Sequence, residues 1–314
     1  MIGDERREPW IKLHELELKR GGRPVLRGIT AELSGRAIGL VGANGAGKST
    51  LIGALLGVLS PSRGSVEVLG LSLPKDAMEV RARAGVMAEQ AGVFPGGSGV
   101  DAVMFAGMLS GLSRRESLRR AHRALDALDV GDERYRPTQG FSTGMRQRCK
   151  LAMSLVHDPE VLILDEPTVG LDPPGRRQLL RLIRDLRDEG RRVLVSTHIM
   201  QDADFLCDDI LLLEAGTVAF SGPVDRLVGG GVGCAKARGQ GIDESFAEEL
   251  KKAGYDVQEV GHEFIIFEAP GDEALSIFWK TAADRGVEVR SLGREVPTLE
   301  EAVVTVMEGG VSGD

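Results

Sequence analysis

Residues 42–50 read Gly42-Ala43-Asn44-Gly45-Ala46-Gly47-Lys48-Ser49-Thr50. The apolar run Ala37–Val41 precedes them and the helix-like stretch LIGALLG follows, so the order predicted is strand, tight loop, helix. Gly42, Gly45 and Gly47 let the backbone curl until consecutive N–H groups face inward, and a helix N-terminus adds favourable partial charge for an anion. Lys48 brings a point charge for the β- and γ-phosphates of a nucleotide, and Ser49 brings a hydroxyl for magnesium. Ala43, Asn44, Ala46 and Thr50 complete the loop. A glycine-rich turn can match such a pattern by chance, but the flanking strand and helix make that reading the weaker one.

Working outward, three further apolar runs resemble buried strands: Val161–Leu164, Arg192–Ser196 and Ile210–Glu214. Helical patterns separate them, which predicts an α/β fold around a parallel sheet. After Leu171 a helix is well marked. Asp172 is placed to cap it, Pro173 fits its first turn, Leu179, Leu180, Leu182, Ile183 and Leu186 recur at helical spacing, and Gly190 ends it. Between Gly96 and Gly140 the strand pattern gives way to a helical one, with Leu118, Ala121, Leu125 and Leu128 on one stripe, as expected of an inserted helical subdomain. Its arginines Arg114, Arg115, Arg119, Arg120 and Arg123 read as a solvated face.

The run VLILDEP, Val161–Pro167, is an apolar strand ending in two carboxylates, an arrangement that delivers acids to the sheet edge where phosphates sit. Asp165 is a candidate for holding magnesium through water, and Glu166 a candidate general base for the attacking water. An acidic pair in that position is commonly an ordinary strand end. Here the loop at Lys48 gives it weight.

Upstream lies FSTGMRQR, Phe141–Arg148, and downstream Ser196-Thr197-His198. With these the chain resembles the nucleotide-binding subunits of ATP-binding-cassette (ABC) transporters, from Leu13 to about Leu227, in the family's order of phosphate loop, signature, acidic strand, D-loop and H-loop. The resemblance implies a P-loop NTPase domain of ABC type that binds ATP with Mg2+ and hydrolyses it in a head-to-tail dimer. Each ATP would lie between the P-loop of one subunit and the signature of the other. Ser142 and Gly144 match signature residues that contact the γ-phosphate in trans; Asp172 matches the D-loop residue that communicates across the dimer; His198 matches the residue that holds the γ-phosphate and attacking water.

The chain departs from the family pattern at three places. Thr143 and Met145 stand in the signature where glycine and glutamine are common. In VMAEQAGVF the Q-loop position, which touches magnesium and couples to the membrane partner, aligns on Gly92 and Pro95 with Glu89 rather than Gln90; either residue can serve. Arg20 stands before the GGRP turn where an aromatic often stacks on adenine, and an arginine plane can stack as well.

The 314 residues are expected to divide into an ATPase domain over 1–228, with its helical subdomain at about 96–140, and a small α+β domain over 229–314 beyond the glycine-rich Val228–Gly233. The second domain reads strand, helix, strand, strand, helix, strand, helix, its last helix opening on the capping-box pair Thr298 and Glu301, and it carries no cluster of catalytic residue types. A regulatory or docking role suits it. Glycine is in excess, 42 of 314 residues, nearly twice the usual ~7%. The net charge of -8 disfavours a nucleic-acid partner. Cys149, Cys207 and Cys234 form no CxxC pair and suit reduced thiols in a cytosolic chain. No apolar stretch reaches the ~18–20 residues of a spanning helix, so transport requires separate membrane-spanning subunits and a second ATP-binding subunit, identical or related, with this chain peripheral at the cytoplasmic face. The wording LDEPTVGLDP and STHIMQDADFLCDDI and the ending VPTLEEAV are similar to ATPase subunits of bacterial exporters. The alternative is a soluble mechanical ATPase of the same superfamily. Such relatives usually carry long coiled coils, zinc-ligand cysteines or two cassettes, and none is seen here.

Overall fold

The computed structural model describes residues 8–89, 97–229, 234–255, 257–261, 264–268, 272–295 and 298–307. The chain divides into two compact units, Met1–Pro223 and Val224–Asp314, the division falling just ahead of the glycine run.

In the first unit, β1 (Ile11–Arg20) and β2 (Arg23–Leu33) form a hairpin, and β3 (Ala37–Val41) leads into α1 (Lys48–Leu55). The hairpin turn is Gly21-Gly22, both with positive φ (55° and 79°), the backbone that a two-residue turn of matching twist demands. Next come β4 (Arg63–Val68), β5 (Leu71–Leu73), α2 (Ala77–Arg83) and β6 (Ala84–Met87). Strands β2-β1-β4-β5 make an antiparallel sheet. A helical segment follows, with α3 (Gly99–Leu109), α4 (Arg114–Ala127) and α5 (Thr143–Leu155). Each is capped by a serine, Ser98, Ser113 and Ser142, whose hydroxyl accepts a backbone N–H of the first turn.

The chain then returns to the sheet through β7 (Val161–Asp165), α6 (Pro173–Asp188), β8 (Arg192–Thr197), α7 (Met200–Leu206), β9 (Asp209–Glu214) and β10 (Thr217–Pro223). The six-stranded sheet runs β10-β9-β3-β8-β7-β6, parallel throughout except for β10 at its edge. Both β3 and β7 are buried along their whole length, which is why they read as unbroken apolar runs rather than alternating ones. Asp172 caps α6 by accepting Gly175 N–H at 3.2 Å. Residues of both sheets and α1 share one apolar core.

The stripe expected on α4 is corrected at one position. Ala121, Leu125 and Leu128 are buried, but Leu118 is 41% exposed, and Ser117 and Ala124 take the inner face. At 3.6 residues per turn, 117, 121, 124, 125 and 128 lie on a common face and 118 falls at its margin. Arg119 and Arg120 both pair with Glu116 on the same exposed surface.

The second unit opens with α8 (Val224–Gly229), then β11 (Cys234–Gln240), α9 (Glu244–Lys252), β12 (Val257–Gly261), β13 (Phe264–Glu268), α10 (Asp272–Arg285), β14 (Glu288–Glu295) and α11 (Leu299–Met307). The sheet order β12-β13-β11-β14, all antiparallel, makes β11 to β14 a βαββαβ unit of ferredoxin-like topology. At its centre Phe267 and Phe278 stack with ring centroids 4.9 Å apart, and Phe246 meets Phe278 edge-on at 5.9 Å. Thr298 and Glu301 exchange the hydrogen bonds of a capping box at the start of α11. Phe278→Ala opens a cavity among these rings and is expected to destabilise this unit by about 3–5 kcal/mol. Denaturant unfolding followed by near-ultraviolet circular dichroism reads this directly, and a loss below 1 kcal/mol would mean that the rings are not its core.

Candidate active site

The parallel register places the ends of β3, β8 and β7 side by side, with Val41 opposite Thr197 and Asp165 opposite Ser196. Everything that follows those three ends therefore converges. Beyond β3 the loop turns back at Gly42, whose φ is 152° and where an added Cβ would stand 2.3 Å from Leu213 O. Only glycine fits that approach. Gly47 is the N-cap of α1, and Lys48 is its first residue.

Lys48 and Glu166 are each 7% exposed at their side chains, so both charges need compensation. The Lys48 ammonium donates to Gly42 O at 2.7 Å and lies 3.6 Å from Glu166 Oε1. Glu166 Oε2 meets His198 Nδ1 at 3.0 Å, while Oε1 has no hydrogen-bond partner. Glu166 itself has φ +48°, a left-handed backbone that costs roughly 1–3 kcal/mol and persists where surrounding structure holds it. Its N–H donates to Ser196 O and Oγ at 3.2 and 3.1 Å. Ser49 Oγ donates to Asp165 Oδ2 at 3.1 Å, and Ser196 Oγ donates to Asp165 Oδ1.

These groups face one cavity of about 570 Å3, lined by the loop residues Asn44, Gly45, Gly47, Lys48, Ser49 and Thr50, and by Glu89, Asp165, Glu166, His198 and Arg20. Gly42, Ala43 and Ala46 stand behind the lining and shape the loop, with Ala46 N–H donating to Ala43 O. Glu89 is on the cavity wall, its carbonyl accepting from Lys150 of α5 at 2.9 Å; the alternative, Gln90, lies outside the described residues. Ser142, Gly144 and Asp172 do not line this cavity. Ser142 and Asp172 instead cap α5 and α6. Two apolar walls, Val25 and Val169, were not anticipated. A valine carries no chemical signature, and only the hairpin and the turn after Glu166 bring them there. The Ser49 hydroxyl and the Asp165 carboxylate form an oxygen donor pair that fits a hard cation such as Mg2+.

A phosphate cradle at the switch point of a parallel sheet, with a lysine, a paired carboxylate and a histidine around it, defines a P-loop nucleotide hydrolase. Comparison with known proteins agrees. The family model described as ABC transporter matches residues 27–169. The daunorubicin resistance ATP-binding protein DrrA3 of Streptomyces coeruleorubidus is 33% identical over 304 residues, 93% of each chain. The Nod factor export ATP-binding protein I of Ralstonia nicotianae is 31% identical over 227 residues, 72% of this chain and 71% of that protein. The solved structure of cbiO1 from Clostridium perfringens, part of the ABC transporter complex cbiONQ, superposes with a TM-score of 0.63 at 27% identity, over 79% of this chain and 95% of that one. The chain belongs to the ABC transporter ATP-binding proteins, and its activity is that of an ATP-hydrolysing transporter subunit. Among the described residues no helix is long and apolar enough to cross a membrane.

Proposed function

We propose that this chain is the ATPase subunit of an exporter, working as an ATP-sandwich dimer on separate membrane-spanning subunits at the cytoplasmic membrane face. The observation that carries the catalytic part is the convergence of Lys48, Ser49, Asp165, Glu166 and His198 on one cavity at the ends of three adjacent strands. Export is supported by two of the relatives, the daunorubicin resistance ATP-binding protein DrrA3 and the Nod factor export ATP-binding protein I.

In this reading the loop N–H groups and Lys48 bind the β- and γ-phosphates of ATP, and Arg20 with Val25 flanks the base. Ser49 and Asp165, with Glu89, hold Mg2+, which supplies charge neutralisation for the phosphoryl oxygens. Glu166 accepts the proton of the attacking water. His198, engaged through Nδ1, keeps Nε2 for the phosphate or the water.

Ser142 accepts Met145 N–H and keeps its own O–H to donate, and the first-turn N–H groups of Thr143 and Gly144 have no partner within their helix. This helix end is the surface offered to the partner's γ-phosphate. For the membrane subunit, Val86 on β6 and Phe105, Met108 and Leu109 on α3 are exposed apolar groups flanking residues 90–96 in sequence. The second unit, which together with the first is matched across 93% of DrrA3, takes a regulatory or docking role. Tagged Glu166→Gln protein, recovered from gently solubilised membranes with ATP and magnesium, is expected to bring a polytopic membrane protein with it in mass spectrometry. Recovery of soluble partners alone, with the chain absent from membranes, would replace transport by a soluble mechanical role.

A further inference from the structure

Asp202 lies outside the cavity lining, yet at 1% exposure it is one of the most deeply buried charged groups of the first unit. A carboxylate in that position is tolerated only when paired and hydrogen-bonded. Both of its oxygens are engaged: Oδ2 accepts from Thr168 Oγ1 at 2.6 Å and Oδ1 from Arg176 Nε at 2.6 Å. The three residues come from three segments that leave the sheet edge separately. Thr168 is in the turn two residues after Glu166, Arg176 is in the first turns of α6, and Asp202 is in α7, four residues after His198.

Strand pairing ends at Asp165 on β7 and at Thr197 on β8. Glu166 and His198 lie beyond the last rung; the Glu166 N–H still reaches Ser196 of β8, but the turns that follow the two residues are separate. The Glu166 turn is closed by Val169 N–H donating to Glu166 O at 3.3 Å, and Gln147 Nε2 of α5 donates to Val169 O at 3.2 Å. Neither bond reaches α7. The Thr168–Asp202 hydrogen bond does, and it joins the left-handed Glu166 backbone to the helix that carries the His198 segment.

We propose that Asp202 is a positioning residue for the Glu166–His198 pair, acting through Thr168 on one side and α7 on the other, with Arg176 holding its second oxygen. It touches no substrate. The proposal rests on the reading of Glu166 as the base, since what it positions is that carboxylate against His198.

Thr168→Val removes the hydroxyl while keeping the side-chain shape and the Asp202–Arg176 pair. Steady-state ATP hydrolysis is expected to show kcat lowered about 10-fold or more with KM for ATP within about twofold, because misplacing a catalytic group weakens the chemical step and leaves phosphate binding intact. Thr168→Ser, which keeps the donor, restores kcat. In a Glu166→Gln background Thr168→Val causes no further fall in the residual rate, since groups acting as a unit are not additive. An unchanged kcat, a serine variant as slow as the valine one, or a full further loss in the Glu166→Gln background each overturns the proposal. Near-normal turnover of Glu166→Gln alone would remove the base and the pair together, whereas its loss beside an unaffected Thr168→Val overturns this inference and leaves the base in place.

Discussion

Glu166→Gln protein is expected to bind ATP as the parent chain does while kcat falls about 10²-fold or more, the share a general base typically supplies. The substitution keeps size and the contact with His198 but removes the charge proposed to accept the proton. It also removes the anion facing Lys48 at 3.6 Å, so the ammonium turns to phosphate without competition and affinity does not drop. ATP then persists in the site, and dimers accumulate on size-exclusion chromatography with ATP and magnesium. Phosphate release near the parent rate would take the base role away from Glu166.

Lys48→Ala is expected to act on binding instead. Charge-assisted hydrogen bonds contribute about 1.5–3 kcal/mol each, so losing the ammonium weakens ATP binding by about 10- to 100-fold. The same change leaves Glu166, buried in the cavity wall, without its cation. An uncompensated buried carboxylate destabilises the fold, so Tm of the nucleotide-free protein falls as well, and Lys48→Ala combined with Glu166→Gln recovers it because glutamine carries no charge. Titration with a fluorescent ATP analogue and thermal unfolding separate the two effects. Unchanged affinity would contradict the phosphate role, and no recovery in the double variant would mean that the Lys48–Glu166 contact does not stabilise the folded chain.

Much of the sheet was legible because a fully buried parallel strand must be apolar on both faces. The runs at 37–41, 161–164, 192–196 and 210–214 differ from the observed strands by at most one residue at an end. The α6 boundaries were equally plain, since Asp172, Pro173 and Gly190 each carry a distinct backbone requirement. Strands β1, β2, β4, β5, β6 and β10 of the first unit were not singled out. The first four belong to a sheet with exposed positions among the buried ones, so the apolar residues of β1, β2 and β4 are interleaved with charges, and β5 is only three residues long. Leu118 was misassigned for a related reason: sequence spacing reports a face, and only the neighbours of α4 decide where its edge lies.

At the site, the chain order of glycines, lysine and acids was sufficient to read a phosphate-binding hydrolase, because a phosphate loop and a strand-end acid pair each depend on local backbone that local residues specify; the histidine gains its role only through the resemblance to ABC subunits. Which of these side chains meet depends on strand order, and strand order is set by the packing of the whole domain. That β8 lies between β3 and β7, that Lys48 faces Glu166, that Val25 and Val169 wall the cavity, and that Thr168 bonds to Asp202 all involve residues far apart in the chain. Those contacts form only when non-local burial brings the segments together, so they leave no periodicity in the sequence and appear only in the folded structure.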